Sequence, residues 1–211
     1  MKKSIILSLI LFLGATALLN AQEAEDWSFP VKFSGQKPVI SDFVSAILNQ
    51  EEPGESLCEM KGNWKLYRAG KALHEGRSIL VDTKNGYARY ETTDKYEDGD
   101  VYGSSIEFCY WNCSDGRRKL VAVGTVCTRN GSPYMGQFSG VSFYYYDSST
   151  RRMAFTSTYD LGIDVDMPDD TNLIVHKLPQ TGKTIECHYF APSGNVVSKL
   201  TWNGSEFVKE K

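Results

Sequence analysis

Three sets of side chains in this sequence are of types that do chemistry: crowded aspartates, dispersed cysteine and histidine, and aromatics at matched strand positions. Asp160, Asp164, Asp166, Asp169 and Asp170 fall in one short stretch, and oxygen ligands of that kind suit calcium. Their spacing lacks the Gly at the sixth place and the Glu at the twelfth that an EF-hand loop needs. A solvated acidic loop guarding a sheet edge is the ordinary reading of such a run. Cys58, Cys109, Cys113, Cys127 and Cys187 are joined by His74, His176 and His188, and no four of these show zinc-finger spacing. An odd cysteine count leaves at least one thiol unpaired, and Cys109 and Cys113, which flank a turn, are the candidates for one bridge. Cys113 or Cys127 with His188 would supply the residue types of a nucleophile–base pair, but nothing local brings them together. There is no Gly-x-Ser-x-Gly elbow, zinc-protease helix motif or glycine-rich phosphate loop. No catalytic residue is assigned, and no cofactor is expected.

The aromatics are better organised. Ile106-Glu107-Phe108-Cys109-Tyr110-Trp111 has the same pattern as Val141-Ser142-Phe143-Tyr144-Tyr145-Tyr146 and as Ile185-Glu186-Cys187-His188-Tyr189-Phe190. Each runs β-branched, polar, apolar, variable, Tyr, aromatic. Strand alternation would put Ile106, Phe108, Tyr110, Val141, Phe143, Tyr145, Ile185, Cys187 and Tyr189 on one core face. The other face would then carry Trp111, Tyr144, Tyr146, His188 and Phe190. These five are the candidate ligand-binding residues, an aromatic platform on which a sugar ring could stack. The competing expectation is that the protein itself covers them, because large exposed apolar patches are unusual on a monomer.

The elements that would position these groups are strands. Each copy of the pattern is followed by turn residues and a second apolar run, which reads as three hairpins. Asn85-Gly86 between Ile79-Leu80-Val81 and Tyr87-Ala88-Arg89-Tyr90 marks another. Ahead of them, Ile40, Phe43, Val44, Ile47 and Leu48 recur at helical spacing, with Ser41 as the expected N-cap and Pro53-Gly54 beyond the end. The helix is expected near residues 41–50. Trp64 to His74 fits neither period and reads as a short helix or irregular bridge. The fold expected is mainly β (α+β): an antiparallel meander of about eight strands over residues 77–211, with one N-terminal helix packed on the sheet.

Lys2 and Lys3, the apolar run Ile5–Leu19 and the small residue Ala21 have the form of a signal peptide over residues 1–21. Residues 22–211 would then form a single exported domain, periplasmic or extracellular, with no membrane span after cleavage. Without Lys2 and Lys3 the chain holds 21 basic and 26 acidic residues, a formal charge of −5. No basic cluster is visible in the sequence, so nucleic acid is not an expected partner. Leu178-Pro179-Gln180-Thr181-Gly182 has the letters of a wall-anchoring signal but precedes strand residues rather than an apolar tail.

The leader end Asn20-Ala21-Gln22, the Asn85-Gly86-Tyr87-Ala88-Arg89 turn, Cys109-Tyr110-Trp111-Asn112-Cys113-Ser114-Asp115-Gly116 and Leu200-Thr201-Trp202-Asn203-Gly204 together resemble small exported proteins of gut Bacteroidetes. The resemblance implies a bacterial periplasmic or surface setting and transfers no activity. The expected function is a non-catalytic binding or interaction module for a protein or a glycan. The rival is a hydrolase of envelope or dietary polymers, using carboxylates from the acidic loops.

Overall fold

A computed structural model describes residues 28–50, 55–97, 99–133, 140–163, 173–191 and 194–210. The leader segment 1–21 and the carboxylates of Asp164, Asp166, Asp169 and Asp170 lie outside them. Among these residues the protein is mainly β, with two antiparallel sheets and two α-helices.

The first sheet is a meander in sequence order. Strands β2 (Arg77–Asp82), β3 (Tyr87–Lys95), β4 (Val101–Asn112) and β5 (Arg118–Arg129) pair in succession. β7 (Gly140–Asp147) joins the other side of β5 and β8 (Arg152–Thr156) follows it, while β1 (Ser28–Pro30) closes the edge. A two-residue strand β6 (Ser132–Pro133) pairs with the end of β5. The second sheet is another meander: β9 (Leu173–Lys177), β10 (Thr184–Ala191), β11 (Gly194–Trp202) and β12 (Phe207–Lys209). The three expected hairpins form as β4–β5, β7–β8 and β10–β11, and the Asn85-Gly86 turn joins β2 to β3.

Helix α1 (Ile40–Leu48) buries the expected stripe of Ile40, Phe43, Val44, Ile47 and Leu48 on the first sheet. Phe43 meets Tyr110 and Tyr146 edge-on, at ring separations of 5.3 and 5.2 Å. Ser41 is not the cap. The helix starts one residue earlier, and Asp42 Oδ2 accepts the Val39 N–H at 2.9 Å, satisfying a donor at the helix start.

Helix α2 (Glu55–Arg68) is longer than the bridge expected at Trp64–His74. Its inward stripe is Leu57, Met60 and Trp64, interrupted by Glu59, Lys61 and Gly62, which thins the periodic signal. Gly70 ends the helix rather than weakening it: at φ +65° its N–H bonds the Tyr67 carbonyl and the Lys71 N–H bonds the Leu66 carbonyl. No helix among the described residues is long and apolar enough to cross a membrane.

Three layers result, with helices on one face of the first sheet and the second sheet on the other. One core holds Phe43, Met60, Tyr90, Phe108, Val121 and Tyr146. The other holds Trp111, Leu120, Phe143, Ile185, Cys187 and Trp202. Strand β9 runs close against β5. A Cβ added at Gly124 would sit 3.2 Å from both the His176 carbonyl oxygen and Leu178 Cγ.

Pairing register corrects the expected faces. Cys109, Ala122 and Phe143 lie abreast, as do Tyr110, Val121 and Tyr144. The β7 copy of the pattern therefore points one residue out of phase with the β4 copy, so Phe108 and Phe143 lie on opposite faces. Both faces of the sheet are covered.

Candidate functional site

Along β3 and β4, alternation directs Tyr87, Arg89 and Glu107 to the face that meets the second sheet. Opposite them are Lys177 and Leu178 at the end of β9, the turn Pro179–Thr181, Thr184 and Glu186 on β10, Lys199 on β11, and Glu210. These side chains line an open cleft of about 510 Å³ where the two sheets meet.

Glu107 is the anchor of its floor. The side chain is buried, with 6% of the residue's surface exposed. Both carboxylate oxygens have donors: the Tyr87 hydroxyl bonds Oε1 at 2.9 Å, and the Leu178 N–H bonds Oε2 at 2.9 Å. A buried carboxylate without donors would be costly, and these two make the position tolerable. They also tie the sheets together, because Tyr87 and Glu107 belong to the first and Leu178 follows β9 of the second. Burial, then the Glu107 charge, pushes the Tyr87 hydroxyl well above its usual range, so it remains a proton donor.

Around that floor, charges of both signs reach the opening. Lys177, Glu186 and Lys199 lie abreast on β9, β10 and β11, and Arg89, Glu210, Gln180, Thr181 and Thr184 line the same opening. Thr201 Oγ1 donates to Glu210 Oε1 at 2.7 Å, which steadies that side chain, and Gln180 Nε2 donates to Asp82 Oδ2 at 3.0 Å. The turn with wall-anchoring letters is one lip of this cleft. Leu178 is buried, and the Gly182 carbonyl accepts the Trp111 indole N–H at 3.2 Å. Such an arrangement can accept and donate hydrogen bonds along a polar ligand and neutralise charge of either sign.

No family model, curated protein or solved structure matches this chain.

The aromatic candidates do not come together. Trp111, 5% exposed, lies between the sheets and packs edge-on against Phe207 at 5.4 Å. Tyr146, 1% exposed, lies beneath Phe43 on the opposite face. Tyr144 is half-buried between Phe29 and Phe155 on that same helical side. His188 is on the second sheet, with Nε2 3.4 Å from Glu186 Oε2. The backbone of Phe190 belongs to β10, and its side chain lies outside the described residues. The four described side chains are thus spread over different surfaces, because β7 is out of phase and the third copy belongs to another sheet.

Of the acidic loop, Asp160 accepts a 2.9 Å hydrogen bond from Ser157 Oγ at the start of a short 3-10 turn. Among the described residues, no three or more His, Cys, Asp or Glu are grouped to hold a metal ion. Where β3 leads into β4, carboxylates are held by cations: Asp94 by Arg77 at 2.7 Å, and Asp100 by Arg129. Cys58, Cys109, Cys113 and Cys187 are free thiols; Cys58 is exposed, and Cys109, Cys113, Cys127 and Cys187 are buried. Cys109 and Cys113 cannot bridge: four residues of extended chain separate their Cα atoms by about 13 Å, against the ~7 Å limit for a disulfide.

Glu107 went unnoticed in the sequence because a polar residue alternating with Ile106 and Phe108 reads as solvent-facing. The available signal was the flanking pattern: Cys109 and Trp111 on its own face are too apolar for a wet surface.

Proposed function

We propose that the chain is an exported, non-catalytic binding module that takes a polar segment of a protein or glycan into the cleft between its sheets. The observation that carries this reading is the mixed-charge rim of Arg89, Lys177, Lys199, Glu186 and Glu210 above a floor fixed by Glu107. Binding rather than bond breaking is favoured because both Glu107 oxygens are committed to donors that join the two sheets. The leader-like residues 1–21 support export, which N-terminal sequencing of the secreted protein tests directly.

The test is to probe peptide and glycan arrays with residues 22–211 and with the Lys199→Met and Glu186→Gln variants, which alter the rim. A shared ligand that both variants bind at least about tenfold more weakly supports the cleft, on the scale of one lost charge-assisted hydrogen bond. A ligand bound equally by all three proteins places the site elsewhere.

A second reading has one observation behind it: Glu107 and Glu186 line the same cleft, as the two carboxylates of a glycoside hydrolase would. Release of reducing ends from a polysaccharide panel, lost in Glu186→Gln, would favour that enzyme.

A further inference from the structure

At the end of the first sheet opposite α1's C-terminus, three connections converge: the segment after β1, the β4–β5 turn and the β7–β8 turn. They enclose a small cavity of about 200 Å³. Its wall holds Lys37, Arg117, Arg118, Lys119 and Arg151, five cations in a chain whose formal net charge is −3. Arg117, Arg118 and Lys119 are consecutive in the sequence, and the fold adds Lys37 and Arg151 from two other segments.

Two of the five are already neutralised. Arg118 Nε pairs with Asp115 at 2.6 Å, and Arg117 pairs with Asp147 at 3.2 Å. Among the described residues, Lys37, Lys119 and Arg151 form no ion pair with a carboxylate. Arg151 instead stands over the Phe33 ring at 5.1 Å. Lys119 is the most constrained of the three. It lies abreast of Asn112 and Tyr146 in the sheet, donates to Asn112 Oδ1 at 2.6 Å and sits 4.6 Å over the Tyr110 ring. Burial lowers its amine from the ordinary lysine range, and the neighbouring Lys37 charge lowers it further. A half-buried ammonium beside a second cation is under electrostatic stress that a bound anion would relieve.

We propose that this cavity is an anion site for a phosphate or sulfate group, held by Lys37, Lys119 and Arg151. Arginine supplies forked donors suited to such oxyanions, and the two ammonium groups act as point charges. The group is either a free inorganic ion or an ester on a larger molecule such as a sulfated or phosphorylated sugar. The site is distinct from the cleft and does not depend on the reading proposed for it.

Amide chemical shifts of the folded chain, residues 22–211, would be followed during titration with sodium sulfate, sodium phosphate and glucose 6-sulfate. Ionic strength is held constant with sodium chloride. The expected result is saturable shifts confined to the segments around Lys37, Lys119 and Arg151, weakened about tenfold or more in Lys119→Met and in Arg151→Gln. Arg151 is exposed, so its variant keeps the test usable if Lys119→Met fails to fold. Tighter binding of glucose 6-sulfate than of inorganic sulfate identifies an ester as the ligand, and equal binding identifies the free ion. No saturable shift beyond the chloride control, or affinity unchanged in Arg151→Gln, overturns the proposal.

Discussion

The Tyr87 hydroxyl donates a 2.9 Å hydrogen bond to Glu107 Oε1 across neighbouring strands, and Glu107 Oε2 in turn holds the Leu178 N–H of the second sheet. Removing the donor alone leaves a buried carboxylate short of a partner. Tyr87→Phe is therefore expected to lower unfolding free energy by about 1–3 kcal/mol in urea titrations at neutral pH. An unchanged midpoint would show that Glu107 is solvated.

The same hydroxyl predicts an alkaline limit. Its folded-state value is raised above the ordinary 10.0, first by burial and then by the Glu107 charge. The stabilisation is complete below the unfolded value and is lost as pH rises above it, because only the unfolded chain releases the proton there. Unfolding midpoints from pH 8 to 11 should fall above about pH 10, and less steeply in Tyr87→Phe.

His176 sets the opposite limit. Burial lowers its imidazole to about 4, so the folded state keeps it neutral. Its contribution is present above the ordinary value of 6.5 and is lost as pH falls from there towards about 4. The decline in stability over that window should be shallower in His176→Gln, as followed by circular dichroism.

Trp111 and Tyr146 act as core residues on opposite faces of one sheet. Replacing either with Ala is expected to cost about 3–5 kcal/mol, by the size of the cavity left. A variant that keeps its thermal midpoint would restore the idea of an aromatic platform at that residue.

Gly124 tests the seam between the sheets. Gly124→Val would force β9 away from β5 or displace Leu178, costing about 1–3 kcal/mol. Amide exchange in β9 and β10 should speed up more than in β3 and β4.

The hairpins and α1 were legible in the sequence because their signals are local. Turn residues such as Asn85-Gly86 select a tight reversal, and the 40–48 stripe needs no knowledge of its partner. α2 was half-legible: its outward residues dilute the stripe, and only the tertiary setting gives Asn63 its role. There Nδ2 donates to the Tyr90 hydroxyl at 3.0 Å, while Oδ1 accepts the His74 N–H at 3.2 Å.

The candidate sites were less legible. Three similar hexapeptides suggested one shared face, yet pairing across β5 puts the second copy out of phase, and the third lies in a different sheet. A one-residue change in register inverts every side chain of a strand, and the hexapeptide itself carries no record of it. By itself the sequence determined where the hairpins turn and where α1 lies, since those choices depend on residues a few positions apart. The tertiary structure alone decided which residues meet: Glu107 with Leu178, or Lys37 with Lys119 and Arg151. Those contacts join segments distant in sequence, and only the packing of complete layers brings them within reach.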